Sequence, residues 1–327
     1  MLHSADRFGA RRRARLGVKY VAKKQRVLVG FREKNGRYLA QLNHCATLEA
    51  AIARLITPLQ TLIASLEAYQ QIPQIEAALG DDTLALVIRH LVALSKTDQL
   101  TLQQFAQDYN VQLYLQPGNE QTTHCIWPEQ NPMPLSYRLK GLGLRAQDLV
   151  LTFEPQDFIQ INAVINQKMI KQAIALLDLT SQDQVLDLFC GLGNFSLPMA
   201  VRAQTVVGVE GCANLVTRAQ HNALANQLSN VTFYTADLFQ PVRQSAWWST
   251  PFNKLLLDPP RSGACEIIQQ LKTQPTLERI VYVSCNSASL ARDAGLLAKQ
   301  GYRLRQAGIM DMFPHTPHSE AICLFTR

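Results

Sequence analysis

A chain of 327 residues, 47% hydrophobic, is long enough to bury two separate cores. Its net charge of +7 is uneven: residues 1–37 hold 12 Lys or Arg against 2 acids, while the rest carries a net of −3, so a basic face beside a near-neutral body points to a polyanion partner. No apolar run approaches the length of a bilayer span, no CxxC pair offers a zinc ribbon, and seven scattered cysteines argue for a reducing cytoplasm rather than a disulfide framework.

The opening MLHSADRFGARRRAR has no apolar segment behind it and does not read as a signal peptide. Residues 15–32 alternate basic with apolar side chains and predict a hairpin turning near Lys23 to Gln25, with one face cationic and the other buried. Arg11, Arg12 and Arg13 just before it, with Arg15, Lys19 and Lys24 within it, are the candidate contacts to such a polyanion's phosphates. From Leu48 to Leu66 the apolar residues follow helical spacing, and Pro58 marks a kink or a second helix start. A hairpin over 75–91 turns at Asp81-Asp82, SKTDQLTLQQFAQDYN reads as a capped helix and VQLYL as a strand. GNEQTTHCIWPEQNPMPLS is turn-rich. Residues 1–152 are therefore expected to form an α+β domain without obvious chemistry of its own.

After Phe153 the pattern changes. A helix over Asn162–Leu177 precedes QVLDLF, TVVGVE, VTFYTAD, NKLLLD and RIVYVSC, strands separated by helical segments. That alternation predicts βαβ units and a mostly parallel sheet over 153–327, hence an α/β fold overall. In VLDLFCGLGNFSLPMA, Gly191 and Gly193 let the backbone turn sharply and approach a ligand. The third glycine of a strict dinucleotide fingerprint is missing. Glu210 ends the next strand, 19 residues after Gly191, where a carboxylate accepts from ribose hydroxyls, and Asp237 ends the strand after that. Either acid alone could be a helix cap. NAD and S-adenosylmethionine both suit this layout. Asp187, inside the first strand, favours the second, because a carboxylate attracts a cationic ligand and repels a pyrophosphate.

Cys285 follows an apolar strand and precedes Asn286 and Ser287, at the carboxyl edge where open α/β sheets bind ligands. Taken alone it could be a small buried thiol. Asp258, in KLLLDPPRSGA, ends another strand. DPPRSG, YVSCN and HSEA, in that order, together with QDFIQINAVINQKM, make the chain resemble the RNA uracil-5-methyltransferase family, whose members use S-adenosylmethionine. The wording is most similar to the bacterial branch acting on 23S ribosomal RNA; a transfer-RNA uridine is the weaker substrate reading. The resemblance implies a Rossmann-like class I methyltransferase domain with a seven-stranded sheet. It also implies that Cys285 attacks C6 of a flipped-out uracil, that Glu320 removes the C5 proton, and that Asp258 lies between cofactor and base. By the same carry-over Gln160, Phe189, Asn194, Glu210, Asp237 and Asp258 line the cofactor pocket. Cys190 reads as a packing residue, and His315 and His318 as loop residues near the site.

Members of that branch begin with a small β-barrel (TRAM) domain and three clustered cysteines that, with a fourth, hold an iron–sulfur cluster. Cys45 matches the fourth position, but its partners are absent, so no cluster and no other metal is expected. A fragment, a shortened product or a lost cluster would each explain that start. A cytoplasmic monomer is expected. A competing function, an RNA-binding remnant without turnover, is opposed by the retention of Cys285, Asp258 and Glu320 together.

Overall fold

The hairpin forms where its alternation placed it, as β1 (Arg13–Val21), a 3₁₀ turn over Ala22–Lys24 with Gln25 left-handed, and β2 (Arg26–Gly30). The computed structural model describes residues 1–4, 7–33, 36 and 38–327; Lys34 and Arg37 of the basic segment lie outside them. Pro58 belongs to a second helix start: α1 (Ala50–Ala53) is followed by α2 (Ile56–Ser65), where a proline in the first turn sacrifices no hydrogen bond. Then come β3 (Gln74–Leu79), β4 (Leu84–Arg89), α3 (Lys96–Tyr109) and β5 (Gln112–Gln116). Ser95 caps α3 by accepting from the Asp98 N–H at 3.2 Å. The turn-rich stretch holds one strand that periodicity did not show, β6 (His124–Trp127). It has four residues, occupies the sheet edge and ends at Pro128, too short for an alternating pattern to register.

These six strands make a sheet in the order β2-β1-β3-β4-β5-β6, antiparallel except for β4 beside β5. Leu16, Ile75, Ile88 and Leu115 lie in register on one face and pack with Ile52, Ile56, Leu59 and Leu102 of the helices. Their burial is the main force ordering this unit. The other face carries Arg15, Gln74, Glu76, Arg89 and Gln116.

β7 (Leu135–Leu139) and β8 (Leu149–Phe153) form a two-stranded sheet. α4 (Ala163–Leu177) follows, capped by Asn162. The alternation then runs β9 (Gln184–Leu188), α5 (Ser196–Ala200), β10 (Thr205–Glu210), α6 (Ala213–Ala225), β11 (Val231–Thr235), β12 (Lys254–Leu257), α7 (Cys265–Ile268), β13 (Arg279–Ser284), α8 (Ser287–Lys299), β14 (Arg303–Met310) and β15 (Glu320–Thr326). The seven strands order as β11-β10-β9-β12-β13-β15-β14; the first five run parallel and β15 is antiparallel to both neighbours. Strand order reverses between β9 and β12, which puts the ligand crevice at their carboxyl ends.

By compactness the chain divides into Asp6–Tyr137 with Phe153–Ile161, and Met1–Ala5 with Arg138–Thr152 and Asn162–Arg327. The units interleave along the sequence, in contrast to a single cut after residue 152. No helix is long and apolar enough to cross a membrane among the described residues.

Candidate active site

The crevice is built from loops that leave the carboxyl ends of adjacent strands. After β9 the backbone turns left-handed at Phe189 (φ 64°), Gly191 (φ 55°) and Gly193 (φ 94°). At Gly193 a Cβ would collide with the Leu197 side chain, whereas at Gly191 a Cβ would meet nothing within 4 Å. Gly193 serves packing, and Gly191 leaves open ground over the loop. Glu210, at the end of β10, accepts from the Gly191 N–H at 3.1 Å and from the Cys212 N–H at 3.0 Å, so one carboxylate fixes two loops. Asp237 is exposed and accepts from the Phe239 N–H at 2.9 Å, bringing the Phe239 ring 5.9 Å from that of Phe189. Asn194 exchanges amide hydrogen bonds with Asn166 of α4 at 2.9 and 3.0 Å.

Asp187 is fully buried in β9. The Ser196 hydroxyl donates to its Oδ2, while Oδ1 is buried without a hydrogen-bond partner among the described residues. Burial pushes this carboxyl up to about 7, against the Ser196 hydrogen bond. A half-satisfied buried carboxylate beneath an open glycine loop fits a ligand bearing positive charge. Gln160 belongs to the other unit, where it is buried and its backbone carbonyl accepts from Arg12 Nε at 3.1 Å.

The reactive half lies at β12, β13 and β15. Ser284 pairs with Ala321, so the antiparallel register sets Cys285 beside Glu320 at the carboxyl end of β13. Glu320 is 5% exposed and its Oε2 is buried without a hydrogen-bond partner among the described residues; burial raises its pKa to about 7. The Asp258 carboxyl is pushed well above its ordinary value, first by burial, then by Glu320 and Asp187. Cys285 is half-buried, and its thiol is pushed up by burial, Glu320 and Asp258, with Arg261 opposing. Cys285, Glu320 and Asp258 thus share one electrostatic environment.

Three positions to which the sequence assigned no role hold this half together. Asn286 Nδ2 donates to the Arg261 carbonyl at 2.9 Å while its Oδ1 caps α8 at the Ala288 N–H. Asp293, fully buried in α8, accepts from the Ala264 N–H and the Tyr282 hydroxyl, each at 2.7 Å, and pairs with Arg292. Gly263 (φ 84°) is obligatory because a Cβ would sit 2.5 Å from both Arg292 Nη2 and Asp293 Oδ2. The asparagine after the cysteine was a readable cap signal; an aspartate midway along a helix carried none. Arg261 Nη2 lies 3.3 Å from His318 Nδ1. Cys190 is buried against Gly208, where a Cβ would come within 3.0 Å of its sulfur, as a packing residue should be.

The basic segment is heterogeneous. Arg15, Lys19 and Lys24 are exposed. Arg12 departs from the expected phosphate-facing role: it is 4% exposed, with its guanidinium 4.5 Å from the Tyr137 ring, so it serves the interior of its unit. Arg13 reaches the Asp157 carbonyl and Glu76, and Arg11 is half-buried over the Phe31 ring. Cys45 Sγ lies 3.2 Å from Thr47 Oγ1, and no group of three or more His, Cys, Asp or Glu is placed to hold a metal among the described residues. That donor set does not fit an iron–sulfur cluster.

This strand order and crevice define a class I S-adenosylmethionine-dependent methyltransferase fold. The model of the tRNA (Uracil-5-)-methyltransferase family matches residues 133–327, and the chain belongs to that family. It is 51% identical over 323 residues to a 23S rRNA (uracil(1939)-C(5))-methyltransferase RlmD of Xanthomonas campestris pv. campestris, covering 98% of this chain and 71% of the relative. A protein of the same name from Alcanivorax borkumensis is 49% identical, over 98% of this chain and 70% of its own length. Among solved structures, the Pyrococcus abyssi tRNA (uracil-54, C5)-methyltransferase in complex with S-adenosyl-L-homocysteine matches 99% of this chain and 78% of its own, with a TM-score of 0.75 and 21% identity.

Proposed function

We propose that this enzyme transfers a methyl group to C5 of a uridine in 23S ribosomal RNA, of the 1939 type acted on by its relatives, through a covalent adduct on Cys285. The observation that carries the reading is the register that puts Cys285 beside Glu320, with Asp258 in the same field. S-adenosylmethionine, when bound, supplies an electrophilic methyl on a sulfonium. Asp187, Phe189, Gly191, Gly193, Asn194, Glu210, Asp237 and Asp258 would hold it, with Gln160 added from the resemblance.

Cys285, having lost its proton to solvent, bonds as the thiolate to C6 of a uracil turned out of its stack, and the C5–C6 π pair moves onto the C4 carbonyl as an enolate. That pair returns through C5 to form the C5–methyl bond as the methyl's bond to the donor sulfonium breaks, the released pair staying on that sulfur as a neutral thioether. Glu320 then accepts the C5 proton, the C–H pair re-forms the C5–C6 double bond, and the Cys285 thiolate leaves. A carboxyl near 7 is matched to that proton transfer at neutral pH. Arg15, Lys19, Lys24 and the half-buried Arg11 and Arg13 supply positive charge for RNA phosphates. Transfer of labelled methyl to 23S rRNA lacking the modification tests the proposal; no incorporation at any uridine would overturn it.

A further inference from the structure

Resting on that RNA reading, we propose a second RNA-binding site, a polar groove on the six-stranded sheet that takes a phosphodiester and its flanking nucleotide other than the target uridine. The groove encloses about 470 Å³ on the face opposite the helices. Register builds it: Arg15 of β1 lies opposite Glu76 of β3, Gln74 of β3 opposite Arg89 of β4, and Arg89 opposite Gln116 of β5. The loop over Gly118–Gln121 closes its far side.

Its two arginines reach solvent, while one of its two acids is buried and already paired. Glu76 is 4% exposed and already accepts from Arg15 Nε at 3.0 Å, Gln74 Nε2 at 2.9 Å and Arg13 Nη2 at 3.4 Å. That carboxylate is spent on orienting Arg15, whose side chain stays 64% exposed. Arg89 is exposed and has no acidic partner among the described residues. Glu120, exposed on the rim, is the second acid of the lining beside Glu76 and opposes an anion there. Two cations across a sheet suit a backbone phosphate, and the amides of Gln74, Gln116 and Gln121 can both donate and accept, as base edges and a 2′-hydroxyl require. The sheet thereby extends the basic hairpin's face across β3, β4 and β5.

The test is RNA binding by Arg89→Ala, Arg89→Lys and Gln121→Ala across a salt series, with calorimetric titration of S-adenosylmethionine in parallel. Arg89→Ala should weaken binding several-fold and lower the slope of log K against log salt by about 0.7 to 0.9, one phosphate's share. Arg89→Lys should restore the slope, Gln121→Ala should weaken binding without changing it, and cofactor affinity and kcat at saturating RNA should not move. Wild-type protein that methylates RNA while Arg89→Ala keeps its affinity and slope would overturn the groove alone. Wild-type protein with no RNA affinity would overturn both the groove and the function above. If millimolar inorganic phosphate binds in an Arg89-dependent way while RNA affinity is unchanged, the groove is a free-anion site and the RNA assignment falls.

Discussion

Asn286 donates from its side-chain amide to the carbonyl of Arg261 at 2.9 Å, fastening the loop after β12 to the loop after β13. Asp258 and Cys285 are thereby held on adjacent strands by a residue with no chemistry of its own. Asn286→Ala also removes the cap of α8, so it should cost about 1–2 kcal/mol of stability and lower kcat. Denaturation and single-turnover methyl transfer on the same variant would check both.

The roles proposed for Cys285 and Glu320 separate cleanly. Cys285→Ala should form neither adduct nor product. Glu320→Gln should add to the uracil and methylate it, then stall because the C5 proton has no acceptor. Denaturing electrophoresis should show a shifted band that carries the transferred methyl. Normal turnover by Glu320→Gln would remove it as the base.

Glu320 also predicts a pH dependence of stability. Its folded pKa is about 7 against an ordinary 4.5, so the folded state holds its proton more tightly. This group favours the fold fully below pH 4.5 and loses that advantage as pH rises through 7. Glu320→Gln should therefore stabilise the protein at pH 8, by at most about 3 kcal/mol, and leave it unchanged near pH 4.5. Urea denaturation at the two pH values measures the difference; an equal effect at both would contradict the raised pKa.

Glu210→Ala should weaken S-adenosylmethionine binding by about 1.5–3 kcal/mol, partly through loss of the Gly191 and Cys212 anchors. Calorimetry should find no NAD binding to the wild type. Binding of NAD without a response to S-adenosylmethionine would sink the cofactor assignment.

Arg12 and the exposed cations should behave differently. Arg12→Ala should lower stability by a few kcal/mol, since it removes a buried cation stacked on Tyr137, and leave the salt dependence of RNA binding intact. Neutralising Lys19 and Lys24 together should flatten that dependence. Thermal denaturation and salt-titrated binding distinguish the two outcomes.

Tyr282→Phe should cost about 1 kcal/mol, while Asp293→Ala should cost about 2–4 kcal/mol. The aspartate satisfies a backbone N–H and a hydroxyl at once, and its removal leaves both buried and unpaired. Chemical denaturation of the pair measures this directly.

Much of the molecule follows from local pattern. Alternating strands and helices after Phe153, the glycine loop after β9, the cap at Ser95 and the hairpin at Lys23–Gln25 each depend on residues close in sequence, so periodicity and turn chemistry suffice to find them. The order of motifs around Asp258, Cys285 and Glu320 was likewise legible. Tertiary structure decided what rests on residues far apart. A one-residue change in the pairing of β13 with β15 would separate Cys285 from Glu320, and nothing local to either residue sets that register. Arg12 and Arg15 look alike in a basic run, yet strand alternation and the position of Tyr137 bury one and expose the other. The partners of Asp293 come from β13 and from the loop after β12, so its role exists only once helix, strand and loop have packed and excluded water from the carboxylate.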